Sequence, residues 1–133
     1  MKVFLDTSVL LAAALTREGP ARELFRQAKR RRWTLLTSHW CLEEVRRNLG
    51  VKYPEAMPAW RGLRRRLRVV PNALVLDRPL VFDVAKDKPV LISALASGSA
   101  ALLTYDRADF QDRLGTSFYG MRLVLPRDFL RNP

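Results

Sequence analysis

The chain has 133 residues, 48% of them hydrophobic and 28% charged, which suits one folded domain with a single core and excludes a low-complexity chain. Lys and Arg number 24 against 13 Asp and Glu, for a net charge of +11 and a pI near 11.0. That excess points to a polyanionic partner, nucleic acid ahead of an acidic protein surface or a merely solvated arginine-rich face. A single cysteine, Cys41, excludes an internal disulfide and a multi-cysteine zinc site; its apolar neighbours make it a buried small hydrophobe.

The opening Lys2-Val3-Phe4-Leu5-Asp6-Thr7-Ser8 reads as a buried strand that ends on an acid and passes into a helix over Val9 to Leu15, with Thr7 or Ser8 as its cap. Lys2, the apolar stretch and Ala12-Ala13-Ala14 have the outline of a signal peptide. Asp6 interrupts that stretch, and the residues before it already form a strand, so the signal reading is rejected. No apolar run approaches the roughly 20 residues that cross a bilayer, and the expectation is a soluble, cytoplasmic protein without membrane contact.

Gly19-Pro20 stops the first helix, and Ala21, Leu24, Phe25 and Ala28 recur at helical spacing in a second. The basic run Lys29 to Arg32 suits its C-terminal dipole. Trp33 to Thr37 reads as the second strand, and Ser38 as the N-cap of a helix from Trp40 to Leu49 stopped by Gly50. Tyr53-Pro54 and Met57-Pro58 mark new starts, and Met57, Trp60, Leu63 and Leu67 form an apolar stripe opposite Arg61, Arg64, Arg65 and Arg68. A short strand at Val69-Val70 and an extended candidate from Ala73 to Leu76 follow, then loop from Asp77 to Lys88. Pro89 to Ser97 reads as a buried helix with Gly98 as C-cap, and Ala100 to Thr104 as a central strand leading to Tyr105-Asp106. A short helix from Arg107, a loop near Gly115, a last strand over Met121 to Leu125 and a tail helix complete the chain. Strands separated by helices imply right-handed βαβ units, hence an α/β fold with a mostly parallel sheet and helices on both faces. Residues 1–133 form one domain, with no repeat and no linker.

On this layout Asp6 and Asp106 stand at the carboxyl ends of two strands, where open α/β sheets bind ligands. Asp87 precedes the helix leading to the second of these strands, and Glu44 lies one turn into the helix after the second strand. Crowded carboxylates repel one another, and a hard divalent cation removes that cost: Mg²⁺ or Mn²⁺ takes oxygen ligands and keeps several waters. An acidic cleft in a basic chain suits phosphodiester hydrolysis, in which a metal polarises the phosphoryl oxygen, activates water and stabilises the leaving oxygen.

These residues carry a family resemblance. Phe4-Leu5-Asp6-Thr7-Ser8 resembles the opening motif of PIN-domain nucleases. Thr37-Ser38 followed by Glu43-Glu44-Val45 resembles their second acidic motif, and Asp87-Lys88-Pro89-Val90-Leu91 with Ala94 and Gly98 the third. Leu103-Thr104-Tyr105-Asp106-Arg107-Ala108-Asp109-Phe110 resembles the fourth. The match runs from Val3 to about Pro126 and is most similar to the compact branch holding the toxins of toxin–antitoxin pairs. The resemblance implies a PIN-like three-layer α/β/α sandwich with Mg²⁺- or Mn²⁺-dependent endoribonuclease activity. It further implies a homodimer and a protein antitoxin that blocks the site. Position by position it makes Asp6, Glu44, Asp87 and Asp106 the metal-binding acids, Asp109 an outer acid, and Thr104 a hydroxyl that orients the site or a water. Tyr105 departs from the family, which often has a smaller residue there; it either narrows the cleft or stacks a base. Glu43 stays open as an alternative to Glu44, which the six-residue step from Ser38 and the following Val45 favour.

Other readings stand beside these. Asp6 and Asp106 are each acceptable as caps or turn residues, and Glu43 as a solvated acid paired with Arg47 at i+4. Asp77, Asp83, Asp112 and Asp128 read as surface or turn residues. His39 reads as packing or capping near its helix start, and Trp33, Trp40 and Trp60 as core rather than base-stacking platforms. Arg61, Arg64, Arg65 and Arg68 are either a solvated face or contacts to RNA phosphates. The expected function is metal-dependent endoribonuclease, water attacking phosphorus in line to leave a 5′-phosphate and a 3′-hydroxyl. The alternatives are a non-catalytic basic RNA- or protein-binding module and a nuclease of structured DNA.

Overall fold

In the computed structural model, which describes residues 1–73, 75, 88–108 and 110–133, β1 (Lys2–Leu5) is the central strand. Val3, Phe4 and Leu5 are wholly buried, because parallel neighbours flank β1 on both sides and an apolar run suits a strand covered on both faces. Asp6 itself caps α1 (Thr7–Leu15), accepting the Thr7 backbone N–H at 2.7 Å, so Thr7 and Ser8, the hydroxyls expected to cap the helix, fall inside its first turn. The amphipathic α2 (Pro20–Arg31) follows, burying Ala21, Leu24, Phe25 and Ala28, and Arg32 closes it in the left-handed region at φ 58°.

β2 (Thr34–Ser38) pairs with β1, and α3 (His39–Lys52) leaves it directly. Ser38 Oγ accepts the Cys41 N–H at 3.3 Å, and the Asn72 side chain accepts that of Trp40 at 2.9 Å. Two of the four N–H groups orphaned at this helix start are thereby satisfied. Ser38→Ala is expected to lower stability by about 1 kcal/mol, the usual worth of such a cap, with an unchanged denaturant slope in a urea melt. Gly50 does not stop α3. The helix runs to Lys52 and ends at Tyr53, where Pro54 disfavours further helical backbone in the residue before it.

A single 3₁₀ turn (Pro54–Ala56) leads to α4 (Met57–Arg64), whose Trp60 and Leu63 are buried, and then to β3 (Arg68–Val70) on β2. α5 (Lys88–Ala96) packs on β2 and β4 (Ala101–Leu103), Gly98 supplying the positive-φ turn between them. The short α6 (Gln111–Leu114) starts four residues after Arg107, the expected start. The hairpin of β5 (Ser117–Phe118) with β6 (Met121–Val124) was not expected. Its two-residue turn, Tyr119-Gly120, has both φ angles positive, the geometry that matches strand twist in tight hairpins. α7 (Pro126–Arg131) returns to pack on α2, with Phe129 edge-on to Trp33 at 5.0 Å between ring centroids.

The strand order is β3-β2-β1-β4-β6-β5, parallel except for β5. The chain therefore moves outward from β1 to β2 and β3, then crosses back to β4 and β6. Crossovers of one hand place helices on opposite faces when the direction reverses, which gives the α/β/α sandwich. Trp33 and Trp60 are in the core as expected, but Trp40 is 38% exposed, since its position on α3 faces away from the sheet. Among the described residues no helix is long and apolar enough to cross a membrane.

Candidate functional site

The direction reverses between β1 and β4, and at such a switch point the connections leave on opposite faces, opening a crevice beyond the strand ends. The residues ending these two strands are Asp6 and Thr104, and the turn after β4 carries Asp106. A cavity of about 240 Å³ opens here, lined by Asp6, Thr7, Ser8, Leu11, Glu44, Asn48 and Asp106. A larger cavity of about 400 Å³ lies near Leu36, Arg68, Asn72 and Ser93, but among the described residues it has no acid in its lining. Chemistry, not size, selects the smaller one.

Asp6 is buried, and both its oxygens are held. Oδ1 accepts the Thr7 N–H at 2.7 Å; Oδ2 accepts the Thr104 hydroxyl at 2.8 Å and the Ser8 hydroxyl at 3.2 Å. Thr104 Oγ1 in turn accepts the Asp106 N–H at 3.0 Å, and Ser8 Oγ the Tyr105 N–H at 3.0 Å. Thr7 donates its hydroxyl to Glu44 Oε1 at 3.0 Å, joining α1 to α3 across the crevice. Burial pushes the Asp6 carboxyl up from its ordinary value; the hydrogen bonds from Thr104, Thr7 and Ser8 oppose that rise, and the nearby Glu44 carboxylate adds to it. Among the described residues, no lysine or arginine stands within ion-pair distance of Asp6 or Glu44.

Asp6, Glu44 and Asp106 thus share one cavity, and Thr104 braces two of them. Glu43 does not join them. It lies on the flank of α3 toward α4 and pairs with Arg46 at 2.8 Å (i+3), not with Arg47. His39 is exposed at the start of α3, and Tyr105 is 41% exposed beside the site. Asp87 and Asp109, like Asp77, Asp83 and Leu74 and Leu76 of the Ala73–Leu76 stretch, lie outside the described residues. Arg61, Arg64, Arg65 and Arg68 are all exposed, the first two on α4, Arg65 at its C-cap and Arg68 at the start of β3. Four lining residues were not among the expected site residues: Thr7 and Ser8, read only as caps, and Leu11 and Asn48. Asn48 was findable, since it stands one helical turn from Glu44 and donates to that residue's backbone carbonyl at 2.7 Å.

A family model described as the PIN domain matches residues 2–108, which contain this whole constellation. The chain belongs to the PIN domain family. Three solved PIN-fold structures illustrate the likeness. VapBC2 from Rickettsia felis, bound to a DNA fragment from its promoter, has a TM-score of 0.68 at 14% identity, covering 94% of this chain and 98% of that one. VapBC-1 from nontypeable Haemophilus influenzae gives 0.61 at 17% identity, over 96% and 99%. The Mycobacterium tuberculosis toxin VapC20, described as cleaving the sarcin–ricin loop, gives 0.53 at 18% identity, over 90% and 98%. At these identities the likeness is one of fold. No curated protein matches the sequence.

The donor set fits a hard divalent cation. It is all oxygen, two of its carboxylates have no basic partner among the described residues, and one of those is buried. Among the described residues no three acids close around a single point. Mg²⁺ and Mn²⁺ bind through one or two carboxylates and retain water.

Proposed function

We propose that this PIN domain is a divalent-metal-dependent endoribonuclease, the toxin of a toxin–antitoxin pair. The observation that carries the reading is one cavity at the β1/β4 switch point, lined by Asp6, Glu44 and Asp106, in a chain of net charge +11. Asp6, Glu44 and Asp106 would hold Mg²⁺ or Mn²⁺, with Asp87 and Asp109 as further acids from the sequence motifs. The metal supplies charge stabilisation at the phosphoryl group and lowers the pKa of attacking water. The protein's own part is placement. Thr104 and Ser8 fix the rotamer of Asp6, Thr7 orients Glu44, and the acids repel a phosphate that arrives without a cation.

RNA is favoured as substrate by the charge excess, and the fold is shared with a toxin described as cleaving the sarcin–ricin loop. An antitoxin partner is favoured by the two VapBC neighbours. A homodimer in the cytoplasm completes the proposal. Purified protein is expected to cut a mixed RNA pool with Mg²⁺ or Mn²⁺ and to stop in EDTA; a single-stranded DNA pool run alongside separates the two substrate classes. Absence of cleavage together with absence of Mn²⁺-induced thermal stabilisation would refute the nuclease.

One observation favours a second reading, a basic binding module without catalysis: Asp6 does cap α1. Mn²⁺ decides between them, because binding to the native state alone raises the melting temperature and a cap has no such response. In either reading the exposed Arg61, Arg64, Arg65 and Arg68 form the proposed phosphate-contacting face. Replacing all four with alanine is expected to weaken RNA binding and to make the slope of log K against log salt shallower by about 3, since each phosphate neutralised on a single strand contributes about 0.7. An unchanged slope assigns them to solvent.

A further inference from the structure

Ser8 has no charge and no place among the expected ligands, yet it bridges the two strand ends. Its oxygen accepts the Tyr105 N–H at 3.0 Å, which leaves its one proton for a single acceptor. Asp6 Oδ2 lies at 3.2 Å and Thr104 Oγ1 at 3.5 Å, and the carboxylate is both the nearer and the charged partner. Thr104 repeats the pattern one residue on: its oxygen accepts the Asp106 N–H at 3.0 Å and its proton goes to the same Asp6 Oδ2 at 2.8 Å. Two consecutive amides of the turn after β4 therefore hang from two hydroxyls that converge on one carboxylate oxygen. Thr104 reaches Asp6 from β4, whereas Ser8 reaches the turn from α1, so Ser8 ties the helix that Asp6 caps to the segment carrying Asp106.

We infer that Ser8 is a positioning residue: with Thr104 it suspends the Tyr105–Asp106 turn from Asp6 and so fixes the spacing of the two carboxylates that receive the cation. The inference rests on the metal-dependent reading of the site. Ser8 touches neither the substrate nor the cation in this role. Without its hydroxyl, the Tyr105 N–H loses its acceptor and Asp6 Oδ2 one of two hydroxyl donors, while the core contacts of α1 through Val9, Leu10, Ala13 and Ala14 stay in place. The turn then keeps its tie through Thr104 but loses the one through Ser8, so Asp106 is held less closely relative to Asp6, and a hard cation that depends on fixed oxygen ligands binds less tightly.

The test compares wild type, Ser8→Ala and Ser8→Thr by Mn²⁺ titration of the melting temperature, by cleavage rate against Mn²⁺ concentration, and by hydrogen exchange at the Tyr105 amide. For Ser8→Ala the Mn²⁺ concentration giving half-maximal stabilisation is expected to rise about 10-fold or more, the scale seen when a partner of a ligating group is removed. The rate at saturating Mn²⁺ should recover most of its loss, and Tyr105 exchange should accelerate. Ser8→Thr, which keeps the hydroxyl, should return all three readouts toward wild type. A Ser8→Ala protein that melts lower but keeps the wild-type Mn²⁺ midpoint would make Ser8 structural only and overturn the assignment. A wild type that neither cleaves RNA nor responds to Mn²⁺ would remove the parent reading instead, and the inference with it.

Discussion

Asp6→Asn is expected to lower RNA cleavage by about 10³-fold or more, the scale on which losing one preorganised charge at a reacting phosphate registers, while leaving the fold intact. It should also raise the melting temperature of the metal-free protein. The carboxylate is buried, has no basic partner among the described residues and faces Glu44, so its ionisation opposes folding when no cation is bound. The sign with pH follows from the raised value. The native state holds this proton more tightly than the unfolded chain, so the penalty is present above the folded pKa. It fades as pH falls through that value and is gone below the ordinary 3.8. The asparagine variant carries no such penalty. Its advantage over wild type in EDTA is therefore expected to be largest at neutral pH and to shrink on acidification. With Mn²⁺ the order should reverse, because only wild type gains from binding. Melting curves at several pH values, with EDTA and with Mn²⁺, check each sign. A variant that cleaves like wild type removes Asp6 from the chemistry.

Much of this arrangement was legible in the residues. Two apolar triplets, one followed directly by Asp6 and the other by Asp106 three residues on, with helices after each strand, are enough to put both acids at one sheet edge, because parallel strands share a carboxyl end. Glu44 followed from the same reasoning applied to β2 and the first turns of α3. The choice between Glu43 and Glu44 leaned to Glu44 only on its six-residue step from Ser38 and the following Val45, since adjacent helical residues point about 100° apart and little local says which flank meets the crevice. The structure places Glu44 against Thr7 and Glu43 against Arg46.

What misled the reading elsewhere was local preference overruled by neighbours. Gly50 looks like a stop, but it has no atom within 4 Å of where a Cβ would stand, and the helix ends only at the residue before Pro54. Trp40 looks like core by its apolar company, but the stripe of α3 that faces the sheet holds Cys41, Leu42, Val45 and Leu49. β5 is two residues long, below what an alternating pattern reveals. Ser8 was hidden for a different reason. Its partner Tyr105 lies 97 residues away, and no local spacing announces a hydroxyl that braces a distant backbone amide.

Thr104→Val is expected to damage stability and activity through separable causes. Thr104 is 1% exposed, its backbone N–H is bonded to Val124 at 3.2 Å, and its hydroxyl serves two partners at once. Valine fills nearly the same space, so it opens no cavity of note. It leaves the Asp106 N–H without its 3.0 Å acceptor and takes from Asp6 its shortest hydroxyl donor. Stranding such groups costs about 1–3 kcal/mol in a urea melt. The loss of orientation at a ligating carboxylate should reduce cleavage by about 10–100-fold, and the Mn²⁺ midpoint should rise with it. Thr104→Ser separates the two effects. It keeps both hydrogen bonds and gives up one methyl, worth about 0.8 kcal/mol, so it should melt below wild type yet cleave RNA close to it. If valine cleaves as well as serine, the hydroxyl only holds the fold. If serine recovers the activity while still melting low, the hydroxyl acts on the carboxylate, and placing Asp6 is the work of a residue that binds no metal itself.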